Sequence, residues 1–79
     1  MQYVYILRSV DDPERHYVGT TGDLKARLAA HNAGSVSHTS KYRPWQIKTY
    51  LAFADVRQAH AFETYLKSAS GRAFAKRRL

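Results

Sequence analysis

The run Tyr3-Val4-Tyr5-Ile6-Leu7 constrains the fold more than any other feature of the chain. Both faces of its two-residue period are apolar or aromatic, with Tyr3, Tyr5 and Leu7 on one and Val4 and Ile6 on the other. Such a strand leaves apolar surface in water unless something covers each side, so it belongs at the centre of a sheet. Only 79 residues are present to supply that cover. A domain of this size buries about 60% of the surface its unfolded chain exposes, which argues for a surface cleft with a large partner across it rather than a deep internal cavity. No cysteine is present, so neither a disulfide nor a thiolate zinc site helps to hold the core.

The rest of the chain reads as the cover. Val10-Asp11-Asp12-Pro13-Glu14-Arg15 carries turn chemistry and Tyr17-Val18-Gly19-Thr20 resumes a short strand, making a hairpin with a longer loop. Asp23 suits a helix N-cap or first turn, Leu24 to Asn32 is rich in helix formers, and Asn32 to Gly34 ends it. Leu24 and Leu28 make its inward stripe, while Arg27 and His31 share a neighbouring one. Residues 34–44 are mostly polar and basic without apolar period, the composition of a mobile contact loop.

Trp45 to Phe53 predicts a third strand, and Asp55 caps a helix reaching about Lys67. That helix packs through Ala59, Phe62 and Leu66, with Glu63 bordering the stripe. Gly71 is expected to punctuate, and Arg72 to Arg78 to form a short terminal helix with Phe74 docked inward. The order strand, strand, helix, strand, helix predicts an α+β fold, a three-stranded antiparallel sheet packed by helices, in one domain over residues 1–79.

Thirteen Lys and Arg against six Asp and Glu give a net charge of +7. That balance favours polyanions through phosphate contacts and counterion release, which makes nucleic acid the leading partner class. At 44% apolar and 13% aromatic residues the chain is no disordered basic tail. The apolar opening stops at Arg8 with no basic stretch before it, unlike a secretory leader. No run approaches the roughly 20 residues of a membrane span, and the expected location is the cytoplasm.

The chemistry rests on a combination. Tyr5 and Tyr17 stand on adjacent strands, Arg27 and His31 lie one helical turn apart just after them, and Glu63 sits on a later helix. Each has an ordinary explanation: strand packing for the tyrosines, a solvated helix face for Arg27, the helix dipole for His31, a local pair with Lys67 for Glu63. Together they cover what phosphate chemistry needs. An arginine fork orients a phosphate, a tyrosine or histidine handles a proton, and a lone carboxylate holds Mg²⁺ when phosphate and water complete the shell. Tyrosine has an ordinary pKa of about 10, so acting as a base at neutral pH requires a cation or proton acceptor nearby. Arg27 and His31 are the candidates. Asp11, Asp12 and Glu14 in a turn, and Asp23 and Asp55 at caps, have local roles, and His16, His38 and His60 lack zinc-ligand spacing.

These residues resemble the GIY-YIG nucleases. Tyr3-Val4-Tyr5 stands where that family has Gly-Ile-Tyr, and Tyr17-Val18-Gly19 stands for Tyr-Ile-Gly. Thr21 to Asn32 is similar to the following helix with its Arg-x-x-x-His spacing, and Ala59 to Lys67 to the segment bearing the metal-binding glutamate. The resemblance covers residues 2 to about 72, and ordered signals along a whole chain are more specific than two tripeptides. It departs at Tyr3, which replaces the first glycine, at Val18, and at Thr20, where excision-repair relatives carry lysine.

The resemblance implies a DNA endonuclease using a single Mg²⁺ or Mn²⁺, with Glu63 as the metal ligand, Arg27 facing phosphate, and Tyr5, Tyr17 and His31 in the proton network. Which tyrosine activates the water stays open. It implies hydrolysis to 5′-phosphate and 3′-hydroxyl ends, in DNA repair or processing, by a stand-alone domain. Lys25, Lys41, Arg43, Arg72 and Lys76 are the candidate nucleic-acid contacts. The alternatives are a non-catalytic nucleic-acid-binding module on the same scaffold, or an adaptor anchored through Tyr42 and Trp45.

Overall fold

The computed structural model describes residues 1–79. Strand β1 (Gln2–Ser9) lies between β2 (His16–Thr21) and β3 (Trp45–Phe53) and is antiparallel to both. Val4, Tyr5, Ile6 and Leu7 are all buried, as a strand apolar on both faces requires. Val4 and Ile6 pack with Ala59 and Leu66 under helices α2 (Val56–Lys67) and α3 (Ala69–Arg78). Tyr5 and Leu7 pack with Trp45 on the opposite face, where Leu24 and Leu28 of α1 (Leu24–Asn32) close over them. This is the α+β arrangement expected.

The helix ends follow local chemistry. Asp23 accepts the Ala26 amide at 3.0 Å and Asp55 the Arg57 amide at 2.8 Å, satisfying donors that a helix start leaves free. At the end of α1, Gly34 takes φ 82°, its amide bonds the His31 carbonyl, and the Ser35 amide bonds the Ala30 carbonyl. That paired closure favours glycine, which has no Cβ to strain in the left-handed region.

Two expectations are corrected. Gly71 does not precede the last helix but lies in its first turn, since α3 begins at Ala69. The break falls at Ser68, whose extended backbone separates α2 from α3 and whose hydroxyl accepts the Gly71 amide at 3.1 Å. Glycine is needed at 71 for close approach: a Cβ there would stand 1.7 Å from the Tyr65 carbonyl oxygen. Phe74 lies at the rim, 37% exposed, against Phe62 and Tyr65 rather than inside the core.

The loop of residues 34–44 is likewise tied down. It contains a 3-10 turn (Ser40–Tyr42), and Thr39 just before it is wholly buried. Trp45 fastens its end: the indole N–H donates to the Thr39 carbonyl at 2.9 Å, and Asn32 clasps the Trp45 backbone through both its amide atoms. A polar composition hid this because the anchors are hydrogen bonds rather than apolar contacts.

Candidate active site

Tyr5 on β1 stands opposite Gly19 on β2. A Cβ on residue 19 would lie 2.5 Å from the Tyr5 hydroxyl oxygen and 3.2 Å from the Tyr17 ring. The missing side chain is what lets the Tyr5 ring cross beneath α1. There its oxygen meets two residues that the helical period places on one face. His31 Nε2 is 2.9 Å away, and Arg27 Nε donates to the same oxygen at 3.3 Å.

Behind His31 stands Thr39, its Oγ1 2.8 Å from Nδ1. The threonine hydroxyl donates its single proton to the Val36 carbonyl at 3.3 Å, so toward His31 it accepts. The network thereby assigns the proton of the ring to Nδ1 and leaves Nε2 a lone pair for the Tyr5 O–H. Thr39 has no counterpart among the residues singled out from sequence. It sits eight residues beyond His31 in a Ser/Thr-rich stretch where nothing marks one hydroxyl over another.

Burial holds His31 below the ordinary histidine range, and the Arg27 charge lowers it further. The ring is neutral at neutral pH. Burial raises Tyr5 above the usual tyrosine value, with the Arg27 hydrogen bond and charge opposing it, so Tyr5 keeps its proton. Arg27 is raised, first by its hydrogen bond to Tyr5. Tyr5 is 2% exposed. Tyr17 is partly exposed, with its ring centroid 5.0 Å from that of His31 and 6.4 Å from that of Tyr5.

Glu63 approaches from α2. Its Oε2 is 3.1 Å from Lys67 Nζ and its Oε1 3.9 Å from His60 Nδ1. The carboxylate is near enough to push Tyr5 upward, and Lys67 Nζ lies 6.0 Å from the Tyr17 ring centroid. No three His, Cys, Asp or Glu side chains gather anywhere in the molecule. One partly exposed carboxylate is an oxygen donor suited to a hard cation that takes its other ligands from phosphate and water, and unsuited to a resident zinc. The donor set therefore fits Mg²⁺ or Mn²⁺ carried with substrate, in competition with Lys67 for Glu63.

Tyr5, Tyr17, Arg27, His31 and Glu63 thus converge on one region. The candidate nucleic-acid contacts do not. Arg72 and Lys76 line a common groove, whereas Lys25 and Lys41 are exposed elsewhere on α1 and the 3-10 turn. Arg43 is drawn back onto its own loop, Nε donating to the Ser40 carbonyl at 2.8 Å. The adaptor anchors are also taken: Trp45 is 4% exposed, and the Arg15 guanidinium lies 3.9 Å over the Tyr42 ring.

Fold and cluster together define a small α+β scaffold of the nuclease class. The chain belongs to the GIY-YIG family, whose catalytic-domain profile matches residues 1–78. It is 39% identical over 66 residues to a UPF0213 protein of Streptococcus pyogenes serotype M3, covering 82% of this chain and 70% of that one. A UPF0213 protein of Lacticaseibacillus paracasei is 38% identical, over 82% of this chain and 72% of its own. One from Clostridium perfringens is 37% identical over 85% and 71% respectively. GIY-YIG domains are generally those of endonucleases, typically dependent on a divalent metal.

Proposed function

We propose that this chain is a divalent-metal-dependent DNA endonuclease, acting in DNA repair or processing and leaving 5′-phosphate and 3′-hydroxyl ends. The observation that carries the reading is the Tyr5 hydroxyl shared between neutral His31 at 2.9 Å and charged Arg27 at 3.3 Å. That arrangement couples a proton acceptor to a phosphate-orienting cation through one atom.

The residues divide the work. Arg27 directs one N–H to Tyr5, has Tyr17 within reach of its fork, and offers the other donors to a phosphate oxygen. Tyr17, the more exposed tyrosine, faces the attacking water. Tyr5, held protonated by burial, takes a proton only as it passes its own to Nε2 of His31, so it serves as a relay rather than as a standing base. Thr39 keeps Nε2 free to receive it. The attacking water gives up its proton to the tyrosine relay ending on His31 as its oxygen bonds to phosphorus, the bond to the 3′ oxygen breaks, and that oxygen leaves with a proton from solvent. Glu63 would hold the divalent cation, which when bound supplies charge that stabilises the phosphoryl oxygens.

The test compares wild type and Glu63→Gln on end-labelled single-stranded, duplex, flap and branched DNAs, with Mg²⁺, Mn²⁺ or chelator. Glutamine keeps size and helix propensity close to glutamate's but removes the charge. Cleavage is expected to require metal and to fall by at least roughly 100-fold in the variant, with folding and DNA binding intact. Wild-type cutting by the variant at low Mg²⁺ would remove Glu63 from the site.

A further inference from the structure

Helices α2 and α3 do not roof the whole face of the sheet that carries Ile6 and Val18. They leave an open groove of about 530 Å³, within the roughly 300–1,000 Å³ of sites that take a small organic group. Its floor is apolar, made by Ile6, Val18, Leu66 and Ala75. Its rim is cationic: Lys48, Lys67, Arg72 and Lys76 border it, with Glu14 as the one carboxylate.

One of these cations is brought in by a specific distortion. Along β1 and β3, Ile6 faces Thr49 and Leu7 faces Ile47, so Lys48 is an extra residue at a bulge. Bulges re-aim a side chain, and Lys48 lines the groove opposite α3. It lies near enough to His16 that its charge, after burial, lowers that imidazole. The ion pairs of the molecule join Arg15 to Asp12, Arg57 to Asp55, and His60 and Lys67 to Glu63. Lys48, Arg72 and Lys76 are in none of them.

A cationic rim fits an anion, but a bare phosphate has no use for the apolar floor. A nucleotide uses both. Paired bases already bury their faces in their own stack, so only an unpaired base can lay its flat surface on side chains. The groove also joins the tyrosine cluster, because Tyr17 and Lys67 border it. The Tyr17 ring packs at a tilt against His31, and Lys67 is 3.1 Å from Glu63. Tyr5, Arg27 and His31 lie on the other face of the sheet, past the β2 edge that carries Tyr17. A strand leaving the groove over that edge therefore carries its neighbouring phosphate to the cluster, and an open groove suits a passing strand better than a retained small molecule.

We propose that this groove binds an unpaired nucleotide next to the scissile phosphate, making DNA with a single-stranded segment the substrate class. The inference rests on the nuclease reading, but its test is one of binding and needs no cleavage. In chelator, fluorescence anisotropy compares a blunt duplex with the same duplex carrying a short single-stranded overhang. The overhang is expected to bind roughly ten-fold more tightly, the lower end of what one base gains on an aromatic side chain, which Tyr17 supplies at the border of the groove. Lys48→Ala and Lys76→Ala, checked for folding by circular dichroism, should each cut that advantage by about three-fold or more.

Equal binding of the two DNAs by the wild-type protein overturns the proposal, and needs no variant. So does an unchanged overhang advantage in both variants, or competition by thymidine monophosphate at concentrations comparable to the overhang DNA, which would make the groove a small-molecule site. If the overhang preference holds while no DNA is cut with metal, the nuclease reading fails and the groove stands. If DNA is cut with metal but the overhang is not preferred, the groove fails and the nuclease reading stands.

Discussion

A buried histidine whose two ring nitrogens are both engaged has its protonation state fixed by its neighbours. His31 is wholly buried between Tyr5 and Thr39. Thr39→Val keeps the side chain's shape but leaves the Nδ1–H without an acceptor, at a cost of about 1–3 kcal/mol. The ring can escape by changing tautomer, which turns Nε2 from acceptor to donor and ends the relay. Cleavage by Thr39→Val is expected to fall by roughly ten-fold or more at unchanged DNA affinity, and Thr39→Ser to recover it. Loss of affinity and rate together, with no recovery in serine, would reduce Thr39 to a packing residue. The depressed pKa of His31 also makes stability depend on pH. As pH falls below the ordinary histidine value of about 6.5, the unfolded chain takes up a proton that the folded one refuses. The full contribution is present above that value and is lost toward the lower folded one. His16 is lowered as well, by burial and then by Lys48 and Arg8. Urea melts across this range in His16→Ala should retain most of the decline, because the His16 ring stays largely in contact with solvent and is only partly desolvated, whereas His31 is wholly buried; a flat profile in that variant would assign the effect to His16.

At the scale of elements, the strands and long helices were legible wherever burial follows a period. Tyr3 to Leu7 announces a central strand because both faces are apolar, and Ala59 and Leu66 mark the buried face of α2. The grouping of the candidate residues was legible where they sit on those periodic elements, as Tyr5, Tyr17, Arg27, His31 and Glu63 do. Thr39 and Lys48 were not. One acts through hydrogen bonds in a loop without period, the other through a bulge that only strand pairing reveals. The corner between α2 and α3 departs from the sequence expectation for a related reason: a glycine signals backbone need without saying whether that need is a turn or a close approach. Gly71→Ala tests the second meaning. With the Tyr65 carbonyl oxygen 1.7 Å from the new Cβ, α3 must move off α2 and disturb Ala75 and Leu79, which pack against the core. Urea denaturation is expected to show a loss of at least about 2 kcal/mol. A change within about 0.5 kcal/mol would mean that the corner yields freely.

For the whole molecule, the distribution of charge matters more than its sum. Net charge is +7, yet three of the six acids, Asp12, Asp55 and Glu63, already face a cation on their own turn or helix. These pairs are partly or largely exposed and contribute little to stability; of the groove's cations they engage Lys67 through Glu63 and leave Lys48, Arg72 and Lys76 uncompensated. If Lys48, Arg72 and Lys76 each neutralise one phosphate of a single strand while Lys67 stays on Glu63, counterion release gives a slope of log affinity against log salt of about −2. Lys25 and Lys41, which point elsewhere, should add little. Affinity for a single-stranded oligonucleotide, titrated in chelator from about 50 to 200 mM salt, is therefore expected to fall by roughly 20-fold. Lys48→Ala should make the slope shallower by about 0.7, and Lys41→Ala should leave it unchanged. A slope near zero would deny the phosphate contacts altogether. Equal effects of Lys48→Ala and Lys41→Ala would mean that strands bind the net charge rather than a path, and the groove would lose its claim to direct the substrate toward Tyr17.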